Sequence, residues 1–255
     1  MGTALLKGWT RLDQCSVAVV DPSQRSKEIP SNADIAWHQT PEALDPSFAP
    51  DAIVLAVKPQ QMAAALPAYA RYHDAVFLSI AAGQTLKRLA SLLADSHRAI
   101  VRTMPNLPAS IGQGMSVAVA NAQVTPDQKR LCEALLRAVG DVAWVEDETL
   151  LDPVTALSGS GPAYLFALTE AMAEAGEALG LPKELAARLA RQTVVGSAAL
   201  LAASTESPAA LRQAVTSPGG TTAAALEHLL DEQGLTTLLR RAMQAAAKRA
   251  KELSS

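Results

Sequence analysis

The pattern of the chain changes near Glu146, and that change limits the folds open to it. Before it, short apolar, β-branched runs alternate with helical stretches. The runs cover residues 16–20, 51–57, 75–80, 99–104, 116–120 and 142–145, the last two separated by a helix over 126–139. Continuous apolar runs, rather than alternating ones, suit strands buried on both faces. Strands of that kind interleaved with helices predict an α/β fold, an open parallel sheet covered by helices. After Glu146 no strand is predicted. Ala and Leu recur at helical spacing, punctuated by Gly180-Leu181-Pro182, Ser207-Pro208 and Ser217-Pro218-Gly219-Gly220. The expected organisation is a sheet domain over 1–145 and an all-helical domain over 146–255. The stretch 164–179 is apolar on most faces, which points to deep burial or a subunit interface.

Composition excludes several classes. With 255 residues, 49% hydrophobic and 18% charged, the chain can bury a core and does not read as disordered. A net charge of −3, with dispersed Lys and Arg, supplies no field for nucleic acid or an anionic membrane. Cys15 and Cys132 are far apart and lack metal-ligand spacing, so neither a disulfide framework nor a metal site is expected. No run reaches the ~18 apolar residues of a membrane span. The opening residues carry no signal-peptide pattern. The expected compartment is the cytoplasm.

Two loops in the helical half carry chemistry. The first is Val215-Thr216-Ser217-Pro218-Gly219-Gly220-Thr221-Thr222. Proline stops the incoming helix, and the glycines turn the chain and leave their amides unobstructed. Thr221 and Thr222 then fall in the first turn of the next helix, where a hydroxyl can cap it. Free amides, a helix N-terminus and two hydroxyls make a receptor for a small carboxylate. Taken alone, such a loop is more often an ordinary corner. The second is Ser158-Gly159-Ser160-Gly161-Pro162, a Gly/Ser loop ending in a proline suited to the first turn of a helix.

Upstream lie Ala56-Val57-Lys58-Pro59, Ser79-Ile80-Ala81-Ala82-Gly83 and Arg102-Thr103-Met104-Pro105-Asn106, each closing a predicted strand. In an open α/β sheet such loops hold a nucleotide. In this order the five segments resemble pyrroline-5-carboxylate reductase, the last enzyme of proline biosynthesis. The resemblance runs from Met1 to about residue 239, and the Ser-Pro-Gly-Gly-Thr-Thr loop is its most specific part.

The resemblance implies a Rossmann-type domain followed by a helical dimerisation domain, and a homodimer with interleaved helices or a higher homo-oligomer built through that domain. It implies reduction of a cyclic imine by NAD(P)H. Gly2, Asp21, Ser23, Ala56, Val57, Lys58, Pro59, Ile80, Ala81, Ala82 and Asn106 are the cofactor positions it implies. Glu148, Ser217, Gly219, Gly220, Thr221 and Thr222 are the substrate positions, with Thr222 also the catalytic residue near the ring nitrogen. Glu148 reads equally well as a first-turn helix carboxylate. A protonated imine already attracts hydride, so orientation supplies most of the acceleration and no strong acid is needed. His38, His73, His97 and His228 all lie outside the motifs.

Cofactor preference is drawn two ways. An acidic residue at the end of the second strand, here Asp21, holds the ribose diol of NAD and repels a 2′-phosphate. Ser23, Arg25 and Lys27 could instead hold that phosphate. NADP is the slightly favoured cofactor, with NAD the alternative. Two rival readings are a β-hydroxyacid dehydrogenase and a non-catalytic nucleotide-binding protein. The first calls for a catalytic lysine on a helix of the second domain. Here Lys183 follows a Leu-Pro turn with no glycine motif around it.

The opening Met1-Gly2-Thr3-Ala4-Leu5-Leu6 resembles the end of a G-x-G-x-x-G fingerprint and the helix after it. The first strand and two earlier glycines have no counterpart. In the order 3-2-1-4-5-6 that strand is central, so the strands over 16–20 and 51–57 should each lack a neighbour. The sequence reading expects roughly ten further residues upstream, enough for a short strand and its turn.

Overall fold

The computed structural model describes residues 1–12, 15–23 and 35–254. They form two compact units, one of residues 1–159 with 246–255 and the other of residues 160–245.

The first unit opens with α1 (Gly2–Trp9), followed by β1 (Val17–Val20) and β2 (Ile35–His38). Then come β3 (Ala52–Leu55), α2 (Met62–Ala65), β4 (Val76–Ser79), α3 (Leu86–Leu92) and β5 (Ile100–Met104). β6 (Gly114–Ala120), α4 (Pro126–Arg137), β7 (Gly140–Trp144) and α5 (Leu151–Val154) complete it. β3, β4, β5, β6 and β7 form one sheet in that order, and β1 pairs with β2 in a second. All pairs are parallel except β5–β6. The wholly parallel sheet expected from sequence is thus corrected at one place. The β5–β6 connection, residues 105–113, is shorter than the dozen or so residues a parallel crossover needs.

The division between the two sheets falls where the Rossmann order puts its first strand. Among the described residues β1 pairs only with β2, and β3 only with β4. Both sheets nevertheless face one apolar cluster. Val17, Val19, Ile35 and Trp37 from the small sheet join Val54, Val76, Leu78 and Val101 from the large one. α1 and α4 cover that face with Leu5, Leu6, Trp9, Cys132, Leu135 and Leu136. Trp9 donates its indole N–H to Leu135 O at 2.9 Å, so the largest side chain of α1 is fixed as well as buried. Leu55, Phe77 and Ile100 point to the opposite face, against Met62, Leu66, Leu89 and Leu93. β4 is buried along its whole length. At about 1.5–3 kcal/mol for each large apolar side chain, it anchors both layers.

Burial also decides the thiols. Cys132 has no exposed surface, and desolvation pushes its pKa up to about 12. Cys15 is half-buried, and its pKa is raised less strongly by the same cause. A thiolate-specific reagent at pH 8 should therefore label one thiol per native chain, slowly, and two after denaturation. Fast labelling of both in the native state would contradict this packing.

The second unit contains α6 (Gly161–Ala178), α7 (Lys183–Ala203), α8 (Pro208–Ala214), α9 (Thr221–Leu229) and the start of α10 (Leu235–Ser254). α6 has no buried residue and α7 only Ala186 and Ala190. Leu165, Phe166, Leu189, Val195 and Leu200 are each roughly half exposed, from 47% to 57%. So many exposed large apolar side chains on two helices are unusual for a chain that works alone. Among the described residues, no helix is long and apolar enough to cross a membrane.

Candidate active site

The parallel strands β3, β4 and β5 bring the three upstream segments to one end of the sheet. Ala56, Val57, Lys58 and Pro59 leave β3, and Ala56 and Lys58 are exposed. Pro59 opens a short 3-10 turn, so the chain bends immediately after Lys58. Gly2, the first residue of α1, approaches this loop closely. A Cβ on it would lie 3.1 Å from Ala56 Cβ, so the glycine lets the helix N-terminus reach the strand end.

Ile80, Ala81 and Ala82 leave β4. Ile80 N–H donates to Leu55 O at 3.3 Å and Ala81 N–H to Ser79 Oγ at 3.3 Å. Ala82 alone of the three is exposed. Gly83 has φ +71°, and a Cβ there would stand 2.6 Å from Leu253 O, so the end of α10 lies directly against the loop. Gln84 is 5% exposed, and its Oε1 has no partner.

Asn106, after β5, is committed to the protein. Its amide donates to Ser158 O at 3.1 Å and its Oδ1 accepts Met115 N–H at 2.9 Å. It ties the strand end to residues 155–159, which form a π-helical turn where a loop was expected. Turns of that kind concentrate at functional sites. Ser158 Oγ, inside this turn, is buried without a partner. Pro162 lies in the first turn of α6, as the sequence indicates.

Asp21 and Ser23 belong to the smaller sheet, just beyond β1. The Asp21 carboxylate accepts Ser23 N–H at 2.8 Å, and the Asp21 N–H donates to His38 O. Arg25 and Lys27, the other candidates for a 2′-phosphate, lie outside the described residues.

Glu148 is occupied within the chain. Its Oε1 accepts Leu86 N–H at 2.8 Å and Arg102 Nη1 at 2.9 Å. Arg102 is 5% exposed, and the sequence reading gave it no role. The signal was present: an arginine inside an apolar strand run needs a buried carboxylate partner.

In the second unit Gly219 takes φ +70°, and Gly220 N–H donates to Ser217 O at 3.0 Å. A Cβ on Gly220 would meet Ser217 Oγ at 2.4 Å, so a larger residue there would force the Ser217 hydroxyl to turn away. The N-cap of α9 is Gly220, with no side-chain cap, and α9 begins at Thr221. This corrects the expectation that a threonine hydroxyl caps the helix. The first-turn amides and the hydroxyls of Thr221 and Thr222 stay available to an anion. Ser217 and Thr221 are exposed, and Thr222 is partly buried. Among the described residues, no group of three His, Cys, Asp or Glu could hold a metal ion.

Residues 148–253 match the family model described as pyrroline-5-carboxylate reductase dimerisation. A pyrroline-5-carboxylate reductase of Pseudomonas aeruginosa is 46% identical over 206 residues, covering 80% of this chain and 75% of that protein. The chain belongs to the pyrroline-5-carboxylate reductase family. A solved reductase structure from Coxiella burnetii matches all of this chain and 95% of its own, at TM-score 0.90 and 36% identity. A pyrroline carboxylate reductase of Plasmodium falciparum, solved with NADP bound, matches at TM-score 0.82 and 28% identity, over 100% of this chain and 95% of that one. Family membership establishes the Rossmann-type sheet and the helical dimerisation region as the family's own.

Proposed function

We propose that this chain reduces the cyclic imine of 1-pyrroline-5-carboxylate to L-proline, the last step of proline biosynthesis, in the cytoplasm. NADPH is the favoured hydride donor and NADH the alternative. One observation carries the reading: the family likeness runs through both compact units, since the Coxiella reductase structure is matched along the whole chain. Residues 1–145 serve the dinucleotide, and residues 146–255 serve the substrate and a homodimer.

The cofactor loops fit a flat ring and a pyrophosphate. Ala56 and Ala82 leave the backbone open, and Gly2 brings the positive end of α1 close to Ala56. Bound NADPH supplies the hydride. Ile80, Ala81, Ala82, Val57, Lys58 and Pro59 shape the walls around it, and Asn106 holds the adjoining turn at Ser158. Asp21 and Ser23 set the ribose end.

The amides of the turn over 217–222, with the hydroxyls of Ser217 and Thr221, bind the substrate carboxylate. Thr222 holds the ring nitrogen. The iminium carries its own positive charge, so these residues orient it rather than protonate it. The exposed apolar faces of α6 and α7 support pairing with a second copy.

NADPH oxidation with pyrroline-5-carboxylate, set against a panel of β-hydroxyacids run in reverse, tests the activity. Turnover with the imine alone agrees with it, and turnover with a hydroxyacid alone opposes it. In the same assay Asp21→Ser should raise the NADPH-to-NADH ratio of kcat/KM about tenfold, the worth of removing about 1.4 kcal/mol of repulsion. An unchanged ratio would show that Asp21 does not face the ribose.

A further inference from the structure

A single oxygen joins three segments of the first unit. Glu148 Oε1 accepts Nη1 of Arg102, in the interior of β5, at 2.9 Å and the N–H of Leu86, the first residue of α3, at 2.8 Å. Glu148 itself opens the 3-10 turn that leads from β7 into α5. The guanidinium is nearly inaccessible, whereas the carboxylate is about a quarter exposed, 6% against 26% by side chain.

Ala81 is buried in the core and Gly83 lies against Leu253, but among the described residues the loop over 80–85 is lightly hydrogen-bonded at its near end. Its bonds there are two long ones, Ile80 N–H to Leu55 O and Ala81 N–H to Ser79 Oγ, both 3.3 Å. Its far end is where Glu148 acts. Thr85 caps α3 through Arg88 N–H at 3.2 Å, and the next residue gives its amide to the carboxylate. The loop's firm hydrogen-bonded restraint therefore lies at its far end. The buried Gln84, with an unpaired Oε1, lies directly before that fixed point.

We propose that Arg102 and Glu148 are positioning residues for the cofactor loop: their ion pair holds the first amide of α3 and so sets the path of residues 80–85. The inference rests on the reading of that loop as the cofactor's. It gives Glu148 a task distinct from contact with the imine. Arg102 fixes the carboxylate, the carboxylate fixes Leu86, and Leu86 fixes the loop.

NADPH titration by fluorescence, with no imine present, tests this directly. If the free loop keeps its binding-competent path in about a tenth of molecules, Glu148→Ala weakens NADPH about tenfold. Glu148→Gln keeps an oxygen for both donors and should restore NADPH affinity to within about threefold of the parent chain. A carboxylate that serves only the iminium would leave NADPH affinity unchanged in both variants.

A second pair of variants keeps the test valid if Glu148→Ala does not fold. Proline suits the first turn of a helix, and Thr85, with ψ 155°, already has the extended backbone that precedes proline. Leu86→Pro compared with Leu86→Ala therefore isolates the lost N–H, and it too should weaken NADPH about tenfold. If the parent chain binds NADPH and every variant matches it within twofold, the positioning role is wrong and the reading of the loop stands. A parent chain that binds no NADPH removes both. An imine KM that rises in Glu148→Ala and Glu148→Gln alike, with NADPH affinity intact, assigns Glu148 to the substrate and overturns the proposal.

Discussion

Gly140→Ala should destabilise the first unit by about 3–5 kcal/mol, from steric overlap together with backbone strain. Gly140 opens β7 at φ +152° and stands opposite Gly114 in the β6–β7 register. A Cβ there would lie 2.0 Å from Gly114 O and 2.4 Å from Gly114 N. Both are backbone atoms of a neighbouring strand, so no side chain can swing away to relieve the overlap. The loss is comparable with much of a domain's total stability of about 5–15 kcal/mol. Gly112→Ala is the control. Gly112 also has positive φ, +75°, but nothing lies within 4 Å of its would-be Cβ. Only the strain of a left-handed alanine remains, about 1–2 kcal/mol. Urea midpoints for the two variants decide the matter. Equal losses would mean that the close approach of β6 and β7 is not maintained in solution.

Thr222→Ala should lower kcat/KM for the imine by about one to two orders of magnitude, the worth of a hydrogen bond to a charged group at ~1.5–3 kcal/mol. Thr222 is in the first turn of α9 and is partly buried, whereas Thr221 is exposed. Thr221→Ala should therefore act in the same direction and more mildly. NADPH affinity should not move, because Thr222 lies in the other compact unit from the proposed cofactor loops. Steady-state kinetics and a separate NADPH titration read the two effects apart. Loss of NADPH binding with imine affinity intact would mean the substrate loop is misassigned.

Most of the sheet was legible because buried parallel strands read as continuous apolar runs. β2 was not. Ile35-Ala36-Trp37-His38 holds one β-branched residue and is too short to stand out. The direction of β6 was open to inference from the short 105–113 connection, since hydrophobic pattern alone carries no strand direction. The split between β1 and β3 follows from reading the sheet against its expected order.

At the site, the turn at Ser217 to Thr222 was legible because proline and glycine each have few conformations to offer. The absence of a threonine cap was not, because the helix begins at Thr221, one residue earlier than a capping threonine requires. Nor was the π-helical turn over 155–159, whose Ser158 O accepts the Asn106 amide from the end of β5. The pairing of Arg102 with Glu148 joins residues far apart in sequence. Half of it could be read, an arginine in an apolar strand that must find an acid, but sequence could not say which.

The reductase assignment is tested most directly by following the hydride itself. The chain is incubated with pyrroline-5-carboxylate and NADPH deuterated at C4 on one face or the other, and the product is analysed by mass and by chirality. One deuterium at C5 of L-proline, from only one of the two labelled cofactors, is the outcome that a fixed cofactor and a fixed imine must give. NADPH consumed without label in proline, or label of mixed configuration at C5, would show that the reaction is not the stereospecific reduction assigned to this fold.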